Sequence, residues 1–148
     1  PKRPNQSTDQ IIDDLGNVHL PAGQHPRILS LVPSLTELLF DLDLSEHVVG
    51  RTAYCIRPVG GVDHVPVVGG TKKINVEKAL ALRPTHAIVN VDENPREMYQ
   101  QLSAAGIQVI VTHPIQVLDN RKLFHLFGQL FNRVEQAKRL DTMFMKTH

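Results

Sequence analysis

Cysteine is nearly absent. Cys55 stands alone in 148 residues, so the chain can form no internal disulfide and no cysteine cluster for zinc. A lone thiol is compatible with a reducing compartment and does not require one. Charge of one sign is missing too: 16 basic against 15 acidic residues leave a net charge of +1. No global field favours nucleic acid or an anionic membrane, and no basic face with interleaved aromatics marks a nucleic-acid footprint. No apolar run approaches the ~20 residues needed to cross a bilayer. Pro1 to Gln10 is polar and Pro-rich, without the apolar core of a signal peptide. Pro1 stands where a start methionine would, which leaves room for a segment removed upstream, and export is undecided at this stage. None of the eight histidines falls in HExxH or another ligand spacing.

What is present is ordinary globular composition, 41% hydrophobic and 21% charged, in a length suited to one domain with a sizeable core. Pro1 to Thr8 reads as a disordered leader. Gln10 to Asp14 and Val18 to Pro21 flank Leu15-Gly16-Asn17 as a small hairpin. A regular alternation of strand and helix follows. Strands are expected at Ile28–Val32, Val48–Arg51, Val65–Val68, Ala87–Val91 and Ile107–Thr112. Ser34 with Glu37 forms a capping-box pattern before a helix from Leu35 to Leu42. Asn75 caps a helix to about Leu82, with Pro84 beyond it. Asn94-Pro95 opens another that ends at Gly106. Asp119 caps a last helix to Lys146, roughly 40 Å long at 1.5 Å per residue. Its stripe of Leu123, Phe127, Leu130, Val134, Ala137 and Phe144 recurs at helical spacing. Packing on its own sheet explains such a stripe. So does a helix that leaves the lobe to support a second one. In the latter case Leu140, Met143 and Phe144 would pack on that second lobe, or drive self-association without it. The fold class is therefore α/β: a Rossmann-like parallel sheet of four to five strands, helices on both faces, and a long C-terminal helix.

In an open parallel sheet, ligands sit at the carboxyl ends of the strands. The loops there carry Pro33, Ser34 and Thr36, then Arg51, Thr52, Tyr54, Cys55 and Arg57, then Thr71, Lys72 and Lys73 after Gly69-Gly70, then Asp92, Glu93 and Asn94, and last His113. This polar row with one aromatic suits a pocket for a bulky polar ligand. Each member also has a plainer explanation. Lys72 and Lys73 could be a solvated turn, Asp92 and Glu93 helix caps, Cys55 a packed small residue, and Glu77 a carboxylate on a helix dipole. Gly69-Gly70-Thr71-Lys72 lacks the GxxxxGK[ST] spacing of a phosphate loop. No catalytic set and no metal set is assigned.

One run, Arg27-Ile28-Leu29-Ser30-Leu31-Val32-Pro33-Ser34-Leu35-Thr36-Glu37-Leu38-Leu39, closely resembles the opening of class III solute-binding proteins, the helical-backbone metal receptors. Four more stretches match in order: Val49 to Cys55, Val67 to Lys72, Asn75 to Thr85, and Ala105 to Val109. The resemblance implies two α/β lobes joined by one rigid helix, with ligand between them. It divides the chain into a polar leader over 1–15, an N-terminal lobe over 16–118 and an inter-lobe backbone helix over 119–148, the second lobe being absent. It implies the substrate-binding component of an ABC importer, not an enzyme. The ligand would be a metal chelate (cobalamin, haem or a ferric siderophore) with no intrinsic cofactor, and the address extracytoplasmic. Ser34, Tyr54, Cys55, Thr71, Lys72, Glu93 and His113 would line the ligand site. Glu77 would dock onto arginines of the membrane permease. The alternative reading is a small flavodoxin-like enzyme acting on a phosphorylated or acyl substrate. The missing phosphate motif and the missing nucleophile–base pair count against it.

Overall fold

The computed structural model describes residues 10–147, so the leader Pro1 to Thr8 lies outside the described residues. A two-stranded antiparallel hairpin, β1 (Ile11–Ile12) and β2 (Val18–His19), comes first. The main chain then alternates: β3 (Ile28–Ser30), α1 (Pro33–Asp41), β4 (Val48–Thr52), β5 (Val67–Gly69), α2 (Val76–Ala81), β6 (His86–Asn90), α3 (Arg96–Ala104), β7 (Gln108–Thr112), α4 (Asp119–Leu130) and α5 (Val134–Thr147). The five strands from β3 onward form one sheet in the order β5-β4-β3-β6-β7, and every pairing in it is parallel.

Both faces of this sheet are covered, so its strands are continuous apolar runs whose side chains alternate between two cores. Ile28, Ile88 and Ile110 face a core shared with α1, α4 and α5. Leu29, Ala87, Val89 and Val111 face the other, beneath α2 and α3. The expected capping box at Ser34 is absent. Helix α1 begins two residues earlier, at Pro33, with no side-chain cap, because proline's fixed φ already suits that position. Asn75 does cap α2, its side chain accepting from the Lys78 N–H at 3.0 Å.

The expected single helix over 119–146 is two helices. Asn132 adopts φ 57°, a left-handed conformation that asparagine tolerates and that ends helices. Helix α5 then folds back along α4. Gly128 permits this contact, since a β-carbon there would lie 2.7 Å from that of Ala137. Phe144 stacks edge-on against Phe124 at 5.7 Å, Arg121 binds Asp141 at 2.6 Å, and Leu140 packs against the core. Leu140 and Phe144 are therefore engaged within the described body rather than offered to another; Met143 of that trio is exposed. Asp119 does not cap α4 but accepts from the N–H groups of Ile115 and Gln116, holding the preceding turn.

The hairpin is fastened to β7. Asp13 is buried, and its carboxylate accepts from the backbone N–H groups of Leu15, Asn17 and Val111 and from the side chains of Asn17 and His19. His19 in turn meets Gln108. Residues 11–14 are thus part of the packed body, although the composition of 1–15 as a whole reads as leader. Burial works to raise the Asp13 carboxyl. The hydrogen bonds from His19, Val111 and Asn17 together outweigh it and leave the group below its ordinary value.

Candidate functional site

The carboxyl ends of β3 and β4 open onto a cleft of about 410 Å³, lined by Pro33, Ser34, Glu37, Tyr54, Ile56 and Arg57. Ser34 arrives there because α1 starts immediately after β3. Tyr54 arrives because the chain turns sharply after β4, with the Cys55 N–H donating to the Thr52 carbonyl. Arg51 secures this turn from beneath, its guanidinium donating to the carbonyls of Val65 and Cys55. The Tyr54 ring stands 65% exposed beside Gly70, whose β-carbon position lies 3.6 Å from it.

The remaining sequence-derived residues form a lateral belt along the same sheet edge. Lys72 donates its ammonium to the Asp92 carbonyl at 3.0 Å. The Asp92 carboxylate reaches His113 Nε2 at 3.2 Å, and the His113 N–H donates to Asp14 of the hairpin. Buried Asn94 joins three loops at once: its amide donates to the carbonyls of Leu31 and Thr71, and its oxygen accepts from the Asn90 N–H. It sits where strand order reverses between β3 and β6, the crevice at which such sheets bind ligands. The Asn90 side chain accepts from the N–H groups of Asp92 and Glu93.

The structure thus brings Ser34 and Tyr54 together in one cleft. Thr71, Lys72, Glu93 and His113 lie on the loops after β5, β6 and β7 and are not among its lining. Cys55 is displaced from the set altogether. It is fully buried, with Sγ 3.0 Å from Thr52 Oγ1 and turned toward the Ser30 carbonyl, so it has no surface for a ligand. Ile56 was not singled out from the sequence, and Glu37 was read only as half of a capping box; Arg57 and Asn94 stand among the polar groups that the strand-end loops offer. The Gly69-Gly70 pair has a structural reason: Gly69, at φ 148°, lies so near Ile74 that a β-carbon would come within 2.7 Å of its Cα. The turn there folds back on itself, the Gly70 N–H donating to the Lys73 carbonyl.

Glu77 is exposed on the first turn of α2. A larger cavity, about 700 Å³, lies elsewhere, between β1, α4 and α5. It is away from the strand ends, where ligands of open α/β sheets bind. Among the described residues, no three His, Cys, Asp or Glu side chains gather to hold a metal. No described helix is long and apolar enough to cross a membrane.

The sequence profile described as "Periplasmic binding protein" matches residues 28–144. The vitamin B12-binding protein of Yersinia pestis (strain Pestoides F) is 35% identical over 100 residues, which are 66% of this chain and 35% of that protein. Among solved structures, the periplasmic heme-binding protein RhuT of Roseiflexus sp. RS-1 superimposes with a TM-score of 0.71 at 28% identity, over 78% of this chain and 44% of that one. The periplasmic heme-binding protein HutB of Vibrio cholerae does so with a TM-score of 0.72 at 26% identity, over 82% and 47%. The chain spans about a third of the length of the first and under half of the other two. By its matched profile and these likenesses, the chain belongs to the periplasmic binding protein family.

Proposed function

We propose that this chain is the first lobe of the substrate-binding component of an ABC importer, and that it captures a metal chelate such as cobalamin or haem outside the cytoplasm. The observation that carries this reading is the open cleft at the carboxyl ends of β3 and β4, with Ser34 and Tyr54 facing it. It supports binding rather than chemistry, because it presents an exposed aromatic and polar groups without a nucleophile–base pair. Similarity to proteins named for vitamin B12 and heme binding supports a chelate as the ligand. On this reading a second lobe closes over the cleft. One lobe alone encloses too little of a ligand, since good pockets cover most of its surface. The isolated chain is therefore expected to bind a chelate weakly.

Tyr54 provides the direct test. Tyr54→Ala in the full-length protein is expected to weaken chelate binding about tenfold or more, as removal of a central aromatic contact does. Because the ring is 65% exposed, stability should change by no more than about 0.5 kcal/mol. Titration calorimetry beside thermal melting checks both. Unchanged affinity would remove Tyr54 from the site.

Glu77 is proposed to dock on the permease. Its exposure on α2, apart from the cleft lining, supports a role in contact rather than capture. Glu77→Ala should leave chelate affinity intact and lower transport in reconstituted vesicles about tenfold, the scale for truncating one side of an interfacial charge pair. Normal transport by this variant would leave Glu77 with only its helix-dipole role.

A further inference from the structure

We infer that Arg57 is the anion anchor of the cleft, and that the chelate it admits carries an acidic arm, a carboxylate or a phosphodiester. This rests on the reading of the cleft as the ligand site. Several basic side chains lie along the strand-end loops, and two are already used within the protein. Arg51 donates to the Val65 and Cys55 carbonyls, and Lys72 donates to the Asp92 carbonyl. Arg57 lines the cleft and is exposed. Among the described residues no ion pair joins it to a carboxylate, although Glu37 lines the same cleft.

Two opposite charges that share a small cleft without pairing are tolerable only while water solvates both. A bulky ligand seated on Tyr54 and Ile56 would displace that water. A charge left dry and unpaired is strongly unfavourable, so the ligand must bring an anion to the guanidinium and a hydrogen-bond donor to the Glu37 carboxylate. Arginine suits the first task, because its planar fork binds a carboxylate or a phosphate through two parallel hydrogen bonds. The ligand class that follows is a chelate with an apolar or aromatic body and at least one acidic arm.

Two pairs of probes separate the sources of such an arm. Hemin has free carboxylates that its dimethyl ester lacks. Cyanocobalamin has a phosphodiester that dicyanocobinamide lacks. Full-length protein is titrated with all four, as wild type, Arg57→Gln, Arg57→Lys and Glu37→Gln, with thermal melting to show that each variant folds. The expected result is that Arg57→Gln weakens the arm-bearing ligand about tenfold, as loss of a charge-assisted bidentate contact does. Wild type should bind the armless form as weakly as Arg57→Gln binds the armed one, and Arg57→Lys should recover part of the loss. If wild type holds armed and armless forms equally and Arg57→Gln changes nothing, the anchor is overturned while the cleft reading stands. Wild-type protein that binds neither hemin nor cyanocobalamin would overturn the chelate reading and the anchor with it.

Discussion

An Asp13→Ala chain is expected to lose about 3–5 kcal/mol of stability, the range for removing one side of a buried charged network. The carboxylate satisfies the N–H groups of Leu15, Asn17 and Val111 as well as two side chains. Alanine would leave those donors facing a void and His19 Nε2 without its carboxylate. A domain of this size has about 5–15 kcal/mol in total, so the midpoint of thermal unfolding should fall by about 10 °C. Chemical denaturation at neutral pH measures the loss. Asp13→Asn should lie between, because it keeps an acceptor oxygen but turns an amide toward the remaining donors. A loss below about 1 kcal/mol for the alanine variant would mean that the hairpin does not depend on this carboxylate.

Acid should weaken the protein through His86, beginning as the pH falls below about 6.5. Its ring is buried, edge-on to Phe131 at 5.2 Å. Nδ1 meets Thr85 Oγ1, whereas Nε2 has no partner among the described residues. Burial first, and then the nearby His19, push the imidazole from 6.5 down to about 4. The unfolded chain takes up a proton below pH 6.5 and the folded chain does not until about pH 4. Stability is therefore fully present above that window and falls on the way down through it, by about 3 kcal/mol at 1.36 kcal/mol per pH unit. Urea titrations at pH 7, 5.5 and 4.5 would follow the decline. His86→Leu should flatten it across this window; the Asp13 contribution, with its lowered pKa, is lost only at still lower pH. An equally steep decline in His86→Leu would assign the acid sensitivity to other groups.

The alternation of strands and helices was legible because buried parallel strands leave long apolar runs between turn residues, as at Ile28 to Val32 and Ile107 to Thr112. The cap at Asn75 was legible for a local reason: its side chain reaches only to the next turn of its own helix. Asn132 carried a readable signal for the break between α4 and α5, since asparagine takes the left-handed conformation that stops helices. The apolar stripe continues across that break and hides it. The site was legible as a row of loops and less so as a cleft. Ser34 and Tyr54 follow from strand ends. The burial of Cys55 depends on how tightly the turn after β4 closes. The role of Asn94 depends on carbonyls 63 and 23 residues away, which no local pattern encodes.

The belt across the strand ends has a kinetic meaning. Its links run from Asn94 to Thr71, from Lys72 to Asp92, from Asp92 to His113, and from His113 to Asp14. Loops tied sideways in this way have already surrendered much of their conformational freedom before any ligand arrives. Ordering them costs ~1–2 kcal/mol per residue in backbone entropy, and here folding bears that cost rather than binding. On the proposed reading, encounter with a ligand then resembles docking onto a rigid surface, and affinity differences between ligands should appear mainly as differences in residence time. The backbone amides of Asp92 and Glu93, held by the Asn90 side chain, should exchange with solvent deuterium nearly as slowly without ligand as with it.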